Sequence, residues 1–218
     1  MSNQEQTESK TKADEVYGVV AKKVNQLSGD GPQQRANRAK LRKGIGREPD
    51  EVPEIWDITL ADIPEDLKSW NGIVTPAEQA IHTTLTLFAL HQQGKTEAVN
   101  RSHISFGSAA RRLVSPDNEN EQTIKRRFDA VLTAKDFVEL SRHARGLIQL
   151  MKAKDVCLDY PWFAKDLYRH QNPETKDRVM YKWGEDFWTP IKNKQDDQNG
   201  DQDSNRKNNK HVNPEEGV

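Results

Sequence analysis

The sequence predicts an all-α protein, with two small helical bundles between disordered polar termini. Apolar residues recur at three- and four-residue spacing through most of the chain, as expected of amphipathic helices. Two prolines, Pro76 and Pro173, directly follow the potential capping residues Thr75 and Asn172, a pattern typical of helix starts. No stretch alternates polar and apolar side chains for long enough to indicate a strand. A body of packed helices is the fold class that satisfies all three observations.

The first predicted helix covers residues 14–27, where three valines are spaced four residues apart on one face. A turn with glycine and proline ends it, and a second, basic helix follows. We expect Gly44 and Gly46 to terminate this helix, because glycine suits the left-handed conformation past a helix end. The segment 48–66 is acidic and proline-containing, so it should form only short helical turns.

A clear start signal precedes the third long helix. Thr75 can serve as the N-cap, Pro76 occupies the first helical position, and Glu78 can close a capping box on Thr75. The helix should reach Gln93, and Gly94 should end it. Just before it, Trp70 lies beside an Asn-Gly pair in a predicted loop and is the best candidate for an exposed aromatic side chain.

The second half of the chain is predicted to contain five more helices. Three cover residues 106–114, 121–132 and 134–154, and the last two begin after the capping residues Asp159 and Asn172. The helix 134–154 has two distinct faces. One face is apolar, and the other carries four basic residues, Lys135, Arg142, Arg145 and Lys152.

Composition indicates that part of the chain lies outside any core. The hydrophobic fraction is 33% and the mean hydropathy is -0.96, both low for a globular chain. The polar ends cannot bury enough surface to offset the entropy lost on ordering. We therefore predict four regions, a disordered extension, two helical bundles and a disordered tail, at residues 1–13, 14–100, 101–191 and 192–218.

The sequence indicates a cytoplasmic protein without membrane spans. Cys157 is the single cysteine, so an internal disulfide framework and a multi-cysteine zinc site are excluded. The start of the chain lacks the basic residues and apolar run of a signal peptide, and no later run is long and apolar enough for a membrane helix.

No pattern of catalytic residues is present in the sequence. The six histidines include no pair spaced four residues apart, as a helical zinc site would require. The glycines at 44 and 46 lack the lysine-serine ending of a phosphate loop. We therefore expect neither an enzyme nor a bound cofactor.

Basic residues are concentrated in particular segments, although the formal net charge is only -1. In residues 34–47, Arg35, Arg38 and Arg42 share one helix face and Lys43 follows them, with no acidic residue between. Residues 101–154 carry eleven basic and six acidic side chains. Such stripes are typical of phosphate-binding surfaces. The alternatives are an ordinary solvated helix face and pairing with the acidic segment 48–66.

Several short motifs occur in a characteristic order between about residues 14 and 190. They are RAKLRKG at 38–44, SFG at 105–107 followed by RRL at 111–113, RRF at 126–128, and LDY at 158–160 followed by Leu167 and by WGEDF at 183–187. In this order they resemble the CasB family, the small subunit of the type I-E Cascade complex of CRISPR immunity.

The resemblance implies a non-catalytic, two-bundle subunit of an RNA-guided assembly. Its implied partners are the other Cascade subunits, a second copy of itself, and the backbones of guide RNA and target DNA. There it would stabilise the R-loop and help to hold the displaced strand, while base pairing supplies sequence specificity.

Eleven basic residues are candidate phosphate contacts. Arg38, Arg42 and Lys43 match the family's first basic run, and Arg126 and Arg127 match its central arginine pair. Helical geometry adds Arg142, Arg145 and Lys152, and the supporting candidates are Arg35, Arg111 and Arg112.

Two other functions are compatible with the same charge pattern. The first is a free-standing DNA-binding regulator whose helix-turn-helix would consist of residues 121–132 and 134–154. The second is a protein-interaction adaptor whose charged segments pair with other proteins.

Overall fold

The computed structural model describes residues 11–189, and within that range it contains nine α-helices and no β-strand. The predicted all-α fold is confirmed. The helices are α1 (Lys12–Leu27), α2 (Pro32–Leu41), α3 (Trp56–Thr59), α4 (Pro76–His91), α5 (Phe106–Arg111), α6 (Glu121–Leu132), α7 (Phe137–Ala153), α8 (Tyr160–His170) and α9 (Pro173–Trp188). Short 3₁₀ turns occupy the connections at Arg42–Gly44, Pro49–Glu51, Pro53–Ile55 and Glu65–Leu67.

Side chains cap the helices by local hydrogen bonds. The predicted capping box of α4 is present: Glu78 N donates to Thr75 Oγ1 at 3.1 Å, and Thr75 N donates to Glu78 Oε2 at 2.8 Å. Asp159 caps α8 as predicted, accepting from Trp162 N at 3.0 Å. Thr11 caps α1, which therefore begins at Lys12, two residues before the predicted start. Apart from residues 11–13, the polar ends that were predicted to be disordered lie outside the described residues.

The helices pack in two groups. The first consists of α1, α2, α3, α4 and α8, and the second of α5, α6, α7 and α9. Contacts between α4 and α7 and between α8 and α9 join the groups, and one cluster of buried apolar side chains runs through both. The predicted boundary near residue 100 stays a prediction. The helix α8 follows that boundary in the sequence but packs in the first group. Among residues 11–189, no helix combines the length and the hydropathy needed to cross a membrane.

Aromatic rings fill the core of the second group. The Phe106 ring centroid lies 4.7 Å from that of Trp183, and the Phe128 centroid lies 4.6 Å from that of Phe187. Gly107 lets α5 approach α9 closely, because a Cβ at this position would lie 2.0 Å from the Trp183 carbonyl oxygen. The two helices are therefore held at a distance that no larger residue would permit.

Two buried titratable groups lie where helices of the core meet. Trp183 Nε1 donates to Asp166 Oδ2 at 2.7 Å, and burial raises the pKa of Asp166 to about 6. His91 Nδ1 lies 2.9 Å from the Tyr160 hydroxyl, and burial lowers the pKa of His91 to about 4. Both shifts favour the uncharged form, so the fold keeps these positions neutral over much of the acidic range.

Candidate nucleic-acid interface

Three of the predicted arginines line one groove of about 330 Å³ beside α2. The spacing of Arg35, Arg38 and Arg42 places them on one face, as the sequence predicted. Lys95, in the connection after α4, lines the same groove. It was not among the predicted residues, because a single lysine in a loop gives no periodic signal. We call this cleft the α2 groove.

Arg38 differs from the other two arginines of the stripe. Its side chain is buried, with 5% of the residue exposed, and Nη1 donates to the carbonyls of Leu27 and Gly29 at 2.5 and 2.7 Å. Burial lowers the pKa of this guanidinium. Arg38 therefore holds the α1–α2 connection in place and forms the base of the groove, a departure from the uniform exposure that the stripe suggested.

Lys152, near the end of α7, reaches the edge of the α2 groove. Its Nζ donates to Gln93 Oε1 at 3.0 Å. Burial, and then the positive charges of Arg42 and Lys95, lower the pKa of Lys152. These three cations come from distant parts of the sequence and are close enough to repel one another, so an anion bound between them would relieve the repulsion.

A second groove, of about 230 Å³, lies between α4, α7 and the turn after α2. Arg142 and Arg145 line it, and we call it the α7 groove. Gly46 adopts a φ of +76°, which favours glycine, and a Cβ here would lie 3.7 Å from Arg145 Nη1. Arg142 pairs with Glu139 at 3.6 Å, whereas Arg145 has no ion pair within residues 11–189. Glu48 also lines this groove, and burial raises its pKa.

The two grooves are connected along α7. Residues 142, 145 and 152 share one helix face, which lies beside Gly46 at one point and beside Arg42 at another. The two ends of this face are about 15 Å apart. The continuous surface, here called the basic track, consists of Arg35, Arg42, Lys95, Arg142, Arg145 and Lys152.

Carboxylates neutralise only part of the basic track. Asp30 pairs with Arg35 at 3.2 Å, Asp155 pairs with Lys95 at 2.6 Å, and Glu139 pairs with Arg142. Within the part of the chain that the structure describes, the other three cations of the track form no ion pair. The track is therefore positive, and its free cations are accessible to a large anion.

The remaining predicted residues are not brought into the track by any contact. Lys43, Arg112, Arg126 and Arg127 are exposed, and none has an ion pair within the described range. Arg111 is occupied internally: it pairs with Glu121, and its guanidinium carbon lies 5.9 Å from the centroid of the Phe187 ring. Its interactions are those of a structural residue joining α5, α6 and α9.

The described side chains provide charge and shape at this surface. Residues 11–189 contain no group of three or more histidine, cysteine, aspartate or glutamate side chains that could hold a metal ion. The guanidinium and ammonium groups of the track suit the oxygens of phosphates, since arginine can bind such oxygens with two parallel hydrogen bonds. The arrangement can thus bind a polyanion without any sequence readout.

Comparisons with known proteins agree with the motif order seen in the sequence. The family model of CRISPR-associated protein Cse2 matches residues 37–188, more than half of the chain. No curated protein sequence matches this chain at a significant level.

Two solved structures share the fold. The crystal structure of CasB from Thermobifida fusca superposes with a TM-score of 0.68 at 29% sequence identity, covering 80% of this chain and 98% of that one. A chain of a structure described as a CRISPR RNA-guided surveillance complex superposes with a TM-score of 0.60 at 17% identity, covering 80% of this chain and 92% of that one. The second likeness is one of fold alone.

Proposed function

Because the chain belongs to the Cse2 family, also known as CasB, we propose that it is a non-catalytic subunit of a Cascade-type, RNA-guided surveillance assembly. The family assignment confirms the resemblance seen in the sequence. A chain of a surveillance complex has the same fold, which supports membership of such an assembly. The other Cascade subunits and a second copy of this chain are the protein partners under this proposal.

The role of the subunit is to bind nucleic-acid backbone through the basic track. The observation that carries this proposal is the convergence of Arg42, Lys95 and Lys152 on one groove. Within the described residues, only Lys95 of the three has a carboxylate partner. Like charges that a fold keeps together at the cost of mutual repulsion are stabilised when phosphates bind between them. Arg145 and Arg142 extend the same surface towards the α7 groove.

Contacts of this kind are sufficient to affect an R-loop. Exchange of a DNA duplex for a guide–target heteroduplex is nearly balanced in free energy, so a few kcal/mol of backbone contacts can determine whether the open state persists. For a single strand, each phosphate contact adds about -0.7 to the slope of log affinity against log salt concentration, so binding becomes more salt-dependent. Contacts from six cations would therefore give a slope of about -4. The track thus stabilises the target-bound state without reading bases.

The other predicted cations have graded roles in this proposal. Arg126 and Arg127 on α6, with Arg112 and Lys43, are additional backbone contacts outside the basic track. Arg38 acts indirectly, by fixing the connection that positions Arg35 and Arg42. Two copies placed side by side would lengthen the surface available to the displaced strand and to guide RNA or target DNA.

Purification of the tagged full-length chain from its native host tests the assignment. The complex is sized, its subunits are identified, and any RNA that co-purifies is sequenced. We expect a large assembly that contains repeat-derived guide RNA. A lone protein without RNA, obtained from cells shown to express guide RNA, would contradict the proposal and favour a free-standing DNA-binding regulator.

A further inference from the structure

A second surface, on the connection between α3 and α4, presents unusually exposed apolar side chains. Trp70 is 91% exposed and Ile73 is 69% exposed, on the same turn. Single exposed apolar residues are ordinary on protein surfaces, but a nearly fully exposed tryptophan is costly to keep in water. Tryptophan is also the residue type most enriched among those that dominate protein interfaces. The turn therefore has the composition of an interface anchor.

The turn is held in a defined conformation by its own hydrogen bonds. Asn71 Oδ1 accepts from Ile73 N at 3.1 Å, and Ser69 N donates to Glu78 Oε1 at 3.0 Å. Gly72 adopts a φ of +80°, which only glycine takes readily. Because the backbone is already ordered, the turn itself loses little conformational freedom when a partner covers Trp70.

A groove of about 260 Å³ lies next to this turn and provides space for a partner side chain. Ser69, Gly72 and Val74 of the turn form one wall. Trp56 lines it as well; its Nε1 donates to the Pro49 carbonyl at 2.7 Å, while 40% of the residue stays exposed. The indole is thus fixed in place with one part of its surface uncovered.

The charge beside this groove is negative. Asp50 lines the groove and forms no ion pair within the described residues. Asp50 and Glu51 contribute, after burial, to the raised pKa of Glu48. The cations nearest in sequence are already paired, Arg47 with Glu51 and Lys68 with Glu65. Nucleic acid and anionic lipid would both be repelled here, whereas a lysine or arginine would be attracted.

We propose that the exposed turn with Trp70 and Ile73, together with the adjoining groove lined by Trp56 and Asp50, docks a basic segment of a neighbouring protein subunit. An apolar side chain of that segment packs against Trp70 and Ile73, and a lysine or arginine pairs with Asp50 or lies over the Trp70 indole. The inference rests on the proposed function for the presence of an assembly. It adds a chemical description of the partner and assigns protein contacts and nucleic-acid contacts to different surfaces.

Photo-crosslinking within the native assembly tests the inference. The full-length chain, with p-benzoylphenylalanine in place of Trp70, is purified in complex, irradiated and analysed by mass spectrometry. We expect cross-links to one segment of another subunit that contains lysine or arginine, and D50K should reduce their yield at least about tenfold. Tyr181, 75% exposed on α9, provides the matched control. The same probe there should not label that segment. Cross-links from position 70 to a second copy, to nucleic acid or within the same chain would overturn the inference.

A binding measurement covers the case in which the cross-linker itself prevents docking. W70A should raise the dissociation constant of the chain for the assembly at least about 30-fold, as loss of an interface anchor does, while Y181A should leave it unchanged. Both variants should melt as the wild type does. Equal incorporation of W70A and wild type would overturn the docking surface alone, whereas absence of the wild-type chain from any assembly would overturn the proposed function.

Discussion

The acidic segment 48–66 and the basic track are each only half neutralised by internal ion pairs, and they differ in the sign of the charge that is left. Four carboxylates of the acidic segment have internal cations, in the pairs Lys22–Asp62, Lys40–Asp57, Arg47–Glu51 and Lys68–Glu65. Within the described part of the chain, the other four carboxylates of the segment form no ion pair, and neither do three of the six cations of the basic track. The formal net charge of -1 conceals these two local surpluses of opposite sign. Unpaired charge at particular surfaces therefore indicates the partners better than total charge does.

The largest expected effect follows from reversing the charge of the three unpaired cations of the track. The triple variant R42E/R145E/K152E should shorten the lifetime of the target-bound assembly by about a thousandfold, since each contact contributes roughly tenfold. Its salt slope should become about 2 units shallower, because three phosphate contacts are lost. Dissociation measured at two salt concentrations checks both values. If the target-bound assembly of the triple variant had the wild-type lifetime, unpaired charge would not distinguish the basic track from the acidic segment as a binding surface.

Arg38 tests whether burial separates structural from functional arginines on one helix face. R38A leaves the Leu27 and Gly29 carbonyls without their donor, so the free energy of unfolding should fall by about 2 to 3 kcal/mol. R42A, the matched control four residues later, should change it by less than about 0.5 kcal/mol. Denaturant unfolding of the two variants provides the measurement. Equal stability of R38A and R42A would contradict the structural role of Arg38.

Acid should weaken the core while leaving the charge of the track unchanged. The pKa of His91 is about 4 in the folded chain, below its ordinary value of 6.5, so the stability that neutral His91 contributes is present above pH 6.5 and is lost as pH falls towards 4. At pH 5 the loss should be about 2 kcal/mol. The raised pKa of Asp166 gives the opposite slope below pH 6, and burial lowers the pKa of His170 to about 4 as well, so raw curves mix several effects.

The difference between H91Q and the wild type isolates the histidine. Relative to the wild type, H91Q should gain about 2 kcal/mol between pH 7 and pH 5 in denaturant unfolding. A constant difference at both pH values would show that His91 does not titrate as its burial predicts.

The arginine pair on α6 measures how far the nucleic-acid surface extends beyond the track. R126E/R127E should shorten the target-bound lifetime by about threefold to tenfold, less than the triple variant does, because no contact joins these exposed residues to the grooves. The unfolding curve should be unchanged. An unaltered lifetime at physiological salt would exclude Arg126 and Arg127 from the interface.

The smallest effect is expected on the acidic side. Lys40 and Asp57 pair at 3.2 Å but are both largely exposed, so K40A should lower the free energy of unfolding by no more than about 0.5 kcal/mol. Target binding should not change either. Thermal unfolding and dissociation assays suffice, and a strong binding defect in K40A would place Lys40 itself within the nucleic-acid interface.

Local signals made much of the fold predictable. The capping box at Thr75 and Glu78 and the cap at Asp159 are short-range patterns, and the structure has both. The bounds of α6 were predicted correctly, whereas α7 begins at Phe137 rather than at residue 134 because Asp136 caps it. The placement of α8 in the first helix group depends on long-range packing, for which the sequence carries no local signal.

The candidate site was only partly predictable for the same reason. The shared face of Arg35, Arg38 and Arg42 follows from helical spacing, but the burial of Arg38 depends on carbonyls of the preceding turn. Lys95 enters the groove through tertiary structure alone. Arg111 is similarly occupied by a partner ten residues later, which charge patterning could not show.

Cross-linking of nucleic acid within the assembly tests the central claim most directly. Target DNA with 5-bromouracil along both strands is bound to the purified complex and irradiated, and the labelled peptides of this chain are mapped. We predict labelling in α2 with the turn that follows it, to residue 47, around Lys95, and in α7. Labelling of residues 48–74 instead, or none on this chain while guide RNA and target are bound, would contradict the assignment of the basic track to nucleic acid.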